Sequence, residues 1–594
     1  MSNLIEEYGL IGDGETAALV HRDGSIDWLC LPRFDSDACF AALLGGAENG
    51  CWKLAPVEPF RASRNYLEDT LVLQTEFETD AGAVGVTDLM PVRQNENPAL
   101  IRIVRGLRGR VKIRSVVRLC FDYGSVQPWL EIQGKRALAR AGPDLVVLYA
   151  PVDLRRDGSA LVCDVELSDQ DTCAFILTYG SSLETPPPPL DAASALSETQ
   201  RYWREWIARF DKPTEWPAAI RRSLITVKAM IHQPTGGIVA APTTSLPERS
   251  GREFNWDYRF CWIRDASFTL TALIDTGYVS EAKEWRDWLL RAIAGEPGKM
   301  RIAYRVDGSR RLEEWIASWL RGYRWTDPVR IGNSAASQRQ LDIFGELMDT
   351  ISIASKAGIE CSVQEQQLIG GIAQHVEAIW QQPDHGLWEL RGKPRHYVYS
   401  KVSAWVAIDR YARHLERNGS GRDTKLQQMR KLRQEMHGEI CREGYDSGLG
   451  TFVEYYGAES LDASLLLLPL VGFLPADDDR ISRTIDAIER ELSVDGLVHR
   501  RRPHQQAMQG AFLACNCWLA ECRLLQGRRE VARKVFERVL AVANDLGLLA
   551  EEYDARAKRL AGNFPQTLSH VALVRAALRF SALITERGET DGDH

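Results

Sequence analysis

Four stretches of this 594-residue chain hold carboxylates, aromatics and arginines at a density that could do chemistry. The first runs Asn255-Trp-Asp-Tyr-Arg-Phe-Cys-Trp-Ile-Arg-Asp265. It suits a platform for a polyol. Trp262 would stack on a ring while Arg264 and Asp265 bond neighbouring hydroxyls, since charge-assisted hydrogen bonds are strong enough to fix them. The plainer alternative is an aromatic helix entry with Asp265 in a capping role. The second stretch is Pro383-Asp-His-Gly-Leu-Trp-Glu389. A Glu beside Trp388 can stay protonated near neutrality, because apolar surroundings raise a carboxyl pKa; otherwise it is an exposed loop Glu. The third, Leu549-Ala-Glu-Glu-Tyr-Asp554, supplies either a general base or a solvated turn, and Gly562-Asn-Phe-Pro-Gln-Thr-Leu-Ser569 follows it. The fourth contains Asp307-Gly-Ser-Arg-Arg-Leu-Glu-Glu-Trp315, Gly322-Tyr-Arg324 and Arg330-Ile-Gly-Asn333. Glu313 and Glu314 rival Glu389 as an acid, and Arg330 and Asn333 either cradle a substrate or order their loop.

Other chemistries lack their residues. There is no HExxH, GxSxG or Walker A motif, and no GxGxxG after a strand. Asp477–Asp479 lacks the spacing of a calcium loop. No CxxC occurs, and Cys515 and Cys517 are wrongly spaced for a zinc clamp. Carboxylates, aromatics and arginines suffice to hydrolyse a glycosidic bond, so no metal and no cofactor is expected. With 73 Lys+Arg against 81 Asp+Glu the net charge is −8. That mild acidity argues against a nucleic-acid partner and suits a neutral substrate. Seventeen Trp is a high count for a soluble chain, useful where sugar rings are held, although core packing is the commoner use. The twelve Cys are expected reduced and mostly buried. The N-terminus shows no basic region followed by an apolar one, and the longest apolar run, 465–474, is too short to span a bilayer. The expectation is a cytoplasmic protein without a membrane partner; the sequence is compatible with a homo-oligomer and does not specify one.

These clusters need a scaffold. Residues 1 to about 180 read as short strands: 17–21 and 26–31 around Gly24-Ser25, then 70–77, 111–119, 145–149 and 173–179. Many short antiparallel strands predict a β-sandwich over 1–185. The run Pro186–Pro189 is a stiff spacer, and with a bridging helix over 192–210 it makes a linker over 186–214. From 215 to 585 the period becomes helical, with a polar tail over 586–594. Twelve helices are expected at about 216–231, 264–276, 279–295, 338–351, 364–381, 398–414, 424–440, 458–471, 478–491, 507–526, 528–543 and 566–583. Short and long connections alternate, as in six hairpins closed into a ring of inner helices wrapped by outer ones. Each long connection then leads into an inner helix, so all six emerge at one end, and the four clusters fall within them.

Taken together, these segments resemble bacterial members of glycoside hydrolase family 15, which holds glucoamylases, glucodextranases and trehalases. The resemblance runs nearly end to end. Glu6-Glu-Tyr-Gly-Leu-Ile-Gly-Asp13 through Ser25–Asp35 resembles the trehalase-type N-terminal domain, and Asn255–Asp265, Pro328–Asn333, Gly386–Glu389 and Gly562–Ser569 resemble catalytic-domain signatures. The resemblance implies a β-sandwich followed by an (α/α)6 toroid. It implies Glu389 as general acid, chosen over Glu313 and Glu314, and Glu551 as general base, with the adjacent Glu552 one residue from that role. It implies Trp262, Arg264 and Asp265 around the sugar whose bond is cut; Arg330, Asn333, Trp388 and Glu552 complete the expected binding set. One departure is Met508-Gln-Gly-Ala-Phe512, where relatives often read Gly-Glu-Gly-Ala-Phe. The activity so implied is inverting, exo-acting hydrolysis of an α-glucoside, releasing β-glucose, with the carboxyls ~6.5–9.5 Å apart. Trehalose is the expected substrate and maltooligosaccharides or other α-glucans the alternative. A catalytically silent sugar-binding relative, and a phosphorylase or lyase on a similar toroid, are the remaining readings.

Overall fold

A computed structural model describes residues 3–93, 97–249, 254–293, 297–419, 424–502 and 509–590, with side chains to residue 582. The N-terminal part is antiparallel throughout. Its two layers share one strand, Ala99–Arg118. The first half of that strand pairs with Thr172–Ser181 and Gly82–Leu89, the second with Ala160–Ser168 and Cys51–Pro56. Between the halves Gly109 has φ +69°, and a Cβ there would lie 2.2 Å from the Ala81 carbonyl oxygen, so only glycine lets the strand change partners here. Leu73–Thr79 alternates buried and half-exposed or exposed positions, the period of a strand with one wet face. The layers meet at Trp52, which packs edge-on against Phe175 at 6.5 Å. Buried Arg102 donates to Asp88 at 2.7 Å and to the Trp52 carbonyl at 3.0 Å.

Strands are more numerous than expected. Arg61–Tyr66, Trp129–Gln133 and Arg136–Ala141 are additional to the expected strands; the first and third are rich in Arg and Ala, and cross-strand pairing rather than propensity holds them. The bridging helix α1 (Ala192–Ile207) starts where the Asp191 side chain accepts from the Ser194 N–H at 2.8 Å.

Among the described residues twelve further helices follow: α2 (Pro217–Ala229), α3 (Ile263–Asp275), α4 (Val279–Ala292), α5 (Asp342–Lys356), α6 (Val363–Ile379), α7 (Val398–Asn418), α8 (Thr424–Glu443), α9 (Leu467–Leu470), α10 (Asp479–Leu492), α11 (Leu513–Leu525), α12 (Arg529–Leu540) and α13 (Thr567–Thr590). Trp206 of α1 stacks on Tyr278 at 4.2 Å and donates to Glu281 of α4 at 2.6 Å, tying the linker to the helical part. The odd-numbered helices from α3 onward pack in sequence, α3 on α5, α5 on α7, α7 on α9, α9 on α11 and α11 on α13, and α13 returns to α3. The even-numbered helices lie outside them. Burial follows position: α11 is buried on all sides from Leu513 to Leu524, whereas α10 buries one stripe, Ile481, Thr484, Ile485, Ile488 and Leu492.

Two helices differ from expectation. The one expected over 458–471 is a 3-10 turn, Ala463–Leu466, running into the four-residue α9; Asp462 caps the turn, and Pro469 cannot donate to extend a longer helix. The one expected over 507–526 begins only at Leu513, because Ala511–Phe512 pairs instead with Glu552–Asp554; residues 503–508 lie outside the described set. Backbone helix continues to Thr590, into the expected polar tail, and residues 591–594 are likewise not described. Among the described residues no helix is long and apolar enough to cross a membrane.

Candidate active site

The long connections are not plain loops. Each of several carries a small antiparallel pairing, among them Cys261–Trp262 with Ala303–Tyr304, Trp315–Ile316 with Arg330–Ile331, and Ala511–Phe512 with Glu552–Asp554, which in turn pairs with Arg559–Ala561. Backbone bonds thus fix residues that precede the inner helices. Together these connections enclose a cavity of about 320 Å³ at one end of the ring, within the ~300–1,000 Å³ usual for small-molecule sites.

Four carboxyl groups line it, Glu248, Asp265, Glu389 and Glu551, and the last two are each held by an aromatic donor. Trp262 Nε1 donates to Glu389 Oε1 at 2.6 Å, and Arg264 Nη1 reaches the same oxygen at 3.3 Å and the Leu387 carbonyl at 2.6 Å. Tyr258 Oη donates to Glu551 Oε1 at 2.7 Å. The two rings pack together, centroids 5.4 Å apart and near edge-on. The acids therefore sit at either side of one aromatic pair and are not bonded to each other. On each, one oxygen is spent on donors. Glu551 Oε2 is buried with no protein partner, and a Cβ on Gly562, at φ +77°, would stand 2.7 Å from it. Glu389 has φ +56°, a backbone strain that persists where surrounding structure enforces it.

Burial pushes the Glu389 carboxyl up, and the nearby Asp265 adds to that against the opposing charge of Arg264. Burial likewise raises Glu551, with the Glu248 carboxylate next in weight and Arg500 opposing. Arg500 is the shared cation on this side: it bonds Glu248 and reaches Glu552 Oε1 at 2.7 Å. Its guanidinium lies 5.5 Å from the Trp388 ring centroid. Gln509 Nε2 donates to Glu248 at 3.1 Å.

The structure brings eight of the nine sequence-derived site residues to this cavity: Glu389, Glu551, Trp262, Arg264, Asp265, Arg330, Asn333 and Trp388. Glu552 does not line it; that side chain is fully buried against Arg500. Asp265 makes no cap to its helix but is bound by Arg264 Nε at 2.8 Å. Trp262 is 1% exposed, its N–H spent on Glu389. Trp388 donates to both Asp462 oxygens at 2.8 and 2.9 Å and stacks on Trp518. Asn333 orders its own loop, accepting from the Ala335 N–H at 3.0 Å. Glu314 is bridged by Arg391 at 2.6 Å and Arg330 at 3.3 Å. Burial opposes ionisation there, but Arg391 and the Ser334 N–H outweigh it and hold the carboxyl below its usual range. Neither Glu314 nor Glu313 lines this cavity.

The family model described as glycosyl hydrolases family 15 matches residues 218–578, and one described as trehalase-like, N-terminal, matches residues 1–203. The chain belongs to glycosyl hydrolase family 15. It is a glycoside hydrolase. A trehalase of Thermoplasma volcanium is 33% identical over 98% of this chain and 94% of that protein, and a trehalase of Mycolicibacterium smegmatis is 35% identical over 97% and 91%. A bacterial glucoamylase crystallised with acarbose shares the fold with a TM-score of 0.73, covering 99% of this chain and 96% of that one at 13% identity.

Several residues of this family 15 cavity escaped the sequence reading. Tyr258 lay inside a quoted cluster without a role, and only the fold shows that its hydroxyl meets an acid 293 residues away. Glu248 has no second acid or aromatic beside it, and Arg500 is one of three consecutive arginines, Arg500–Arg502, with nothing in the sequence to single it out. Phe254, Trp256 and Arg391 form part of the wall; the guanidiniums of Arg391 and Arg330 both lie over the Trp256 ring, 3.9 and 4.6 Å from its centroid.

Proposed function

We propose that this glycoside hydrolase cuts α,α-trehalose with inversion, Glu389 acting as general acid and Glu551 as general base. The observation that supports this best is the pair of carboxyls on separate donors in one cavity, Glu551 buried and Glu389 half-buried, each with a second oxygen left for chemistry. Glu389 Oε1 accepts from Trp262 and Arg264, so its proton is carried on Oε2 and passes to the bridging oxygen as the bond breaks. Glu551 Oε1 accepts from Tyr258, so Oε2 takes the proton from a water attacking the opposite face of the sugar. Arg264 and Asp265 face the cavity to hold the glucosyl unit through its hydroxyls. Trehalose is favoured over longer glucans because the trehalases above match this chain along nearly its whole length, N-terminal domain included.

Proton NMR of the anomers in the first minutes of reaction tests both parts. Inversion of one half of trehalose gives equal amounts of β- and α-glucose before mutarotation, since the other half keeps its configuration. α-Glucose alone would exclude inversion. Turnover of maltotriose in preference to trehalose would make the enzyme glucoamylase-like and keep the mechanism.

A further inference from the structure

A second cavity of about 320 Å³ backs onto the catalytic one. The wall between them is thin. Arg330 and Asn333 face the catalytic side while Ile331 and Gly332 face the other, and Tyr258 and Arg259 divide in the same way. The second cavity lies where the N-terminal domain meets the Trp315–Ile316 hairpin. Its floor is built: Asp35, 4% exposed, is bound by Arg33 at 3.1 Å and Arg305 at 2.9 Å, and Arg259, 1% exposed, donates to Asp257 and to Tyr123 Oη at 2.8 Å. Asp37, Arg311 and Glu313 also line it, exposed and, among the described residues, without an ion-pair partner. Beside them Trp315 and Trp319 are 39% and 41% exposed, their centroids 5.8 Å apart and their planes tilted by 37°. Tyr123 fixes both rings: Trp319 Nε1 donates to its carbonyl at 3.0 Å, and Trp315 packs on its ring edge.

We propose that this cleft is a second sugar site, binding a neutral α-glucan chain across Trp315 and Trp319, with Arg311 and Glu313 bonding its hydroxyls. The lining as a whole carries three arginines, Arg259, Arg305 and Arg311, against three carboxylates, Asp35, Asp37 and Glu313, so it offers donors and acceptors without selecting an anion or a cation, which suits a polyol. Two exposed rings at a shallow angle make a curved face for two successive pyranose units, and rings already fixed lose little freedom on binding. A patch of exposed tryptophan on a soluble surface is unusual enough to mark an interaction. The choice of α-linked glucan rests on the α-glucoside reading above.

The probe is α-cyclodextrin, which has no chain end for an exo-acting pocket. Calorimetry on wild type, Trp319→Ala and Glu313→Ala is run beside trehalose kcat/KM and solution mass. Wild type binds the probe without competing with trehalose; Trp319→Ala weakens binding about tenfold or more, Glu313→Ala weakens it less, and trehalose kcat/KM is unchanged in both. The proposal is overturned if wild type does not bind, if binding competes with trehalose, or if Trp319→Ala leaves it intact. It is also overturned if Trp319→Ala changes the solution mass while wild type binds no probe, which assigns the surface to a second copy of the chain. Glu313→Ala, at an exposed position, keeps the test open if the Trp variant does not fold. Failure of the trehalose reading appears separately, as no trehalose turnover by wild type.

Discussion

Trp262 and Tyr258 each give one hydrogen bond to a different carboxylate, so removing them one at a time separates acid from base. Trp262→Phe deletes the 2.6 Å bond to Glu389, and Tyr258→Phe deletes the 2.7 Å bond to Glu551. Each donor stabilises the ionised form, so its loss raises the pKa of that carboxyl. A hydrogen bond to a charged group contributes ~1.5–3 kcal/mol, which at 1.36 kcal/mol per unit is a rise of about 1–2 pH units. In the bell-shaped profile of kcat/KM the base, needed ionised, sets the acidic limb, and the acid, needed protonated, sets the alkaline limb. Both carboxyls are already raised, mainly by burial. Activity is therefore lost on acidification at a higher pH than an ordinary Glu at ~4.3 would give, and it persists further into the alkaline range. Tyr258→Phe moves the acidic limb up and leaves the alkaline one; Trp262→Phe does the reverse. Initial rates on trehalose across the pH range, for variants shown by thermal melting to be folded, read both limbs. Movement of the acidic limb by Trp262→Phe would mean the roles are interchanged. Movement of neither limb would mean that these carboxyls do not control the rate.

Three further outcomes follow from the same geometry. Glu389→Gln and Glu551→Gln each lower kcat by about 10²–10⁴, the double variant is no worse than the weaker single one, and Glu552→Gln stays within about tenfold of wild type, all read by glucose release; equal losses at Glu551 and Glu552 would make the base ambiguous. Gly562→Ala forces a Cβ to within 2.7 Å of Glu551 Oε2 at a positive φ and costs about 10² in kcat, since small misplacements of a catalytic group are expensive; rates near wild type in a folded variant would refute the close approach. Gln509→Glu places another carboxylate beside Glu248, disfavours ionisation of its neighbours, and shifts the acidic limb to higher pH; an unchanged or lowered limb counts against the shared electrostatics.

The change of period at the proline run and the order of the helices were legible in the sequence, because outer helices such as α10 keep a 3.6-residue apolar stripe and inner ones such as α11 are mostly apolar throughout. Less legible was whatever depends on partners distant in the chain. Arg136–Ala141, a run of Arg, Ala and one Leu with low strand propensity, becomes a strand only where Trp129–Gln133 pairs with it. The helix expected from 507 gives up its start because Ala511–Phe512 finds a strand at Glu552–Asp554. Within the site, residues adjacent in sequence to a tryptophan or a second acid stood out, as Glu389 and Glu551 did. Arg500, whose importance comes from Glu248 lying 252 residues away, and Tyr258, whose hydroxyl is ordinary until Glu551 meets it, could be found only once the ring closed.

The same electrostatics bear on the choice between two adjacent acids. Glu248, Glu551 and Glu552 share one guanidinium, that of Arg500, in surroundings nearly dry. Three ionised carboxylates around one buried cation leave charge uncompensated at low dielectric, so the cluster retains protons. Glu552 is the better holder. It is fully buried, away from the cavity wall, and pushed well above the ordinary carboxyl range by burial, with Glu248 and Glu551 adding to the effect. Glu551 faces the cavity, with Tyr258 bonded to its first oxygen and its second oxygen unpartnered. A proton kept on Glu552 removes one of the two like charges beside Glu551, which eases ionisation of the carboxyl proposed above as the base. Gln509 acts in the same direction: it offers an N–H to Glu248 where a glutamate would add a further negative charge. On this reading the Glu-Glu pair divides its work, the first acid exchanging protons with water and the second holding the charge of the site low enough for it to do so.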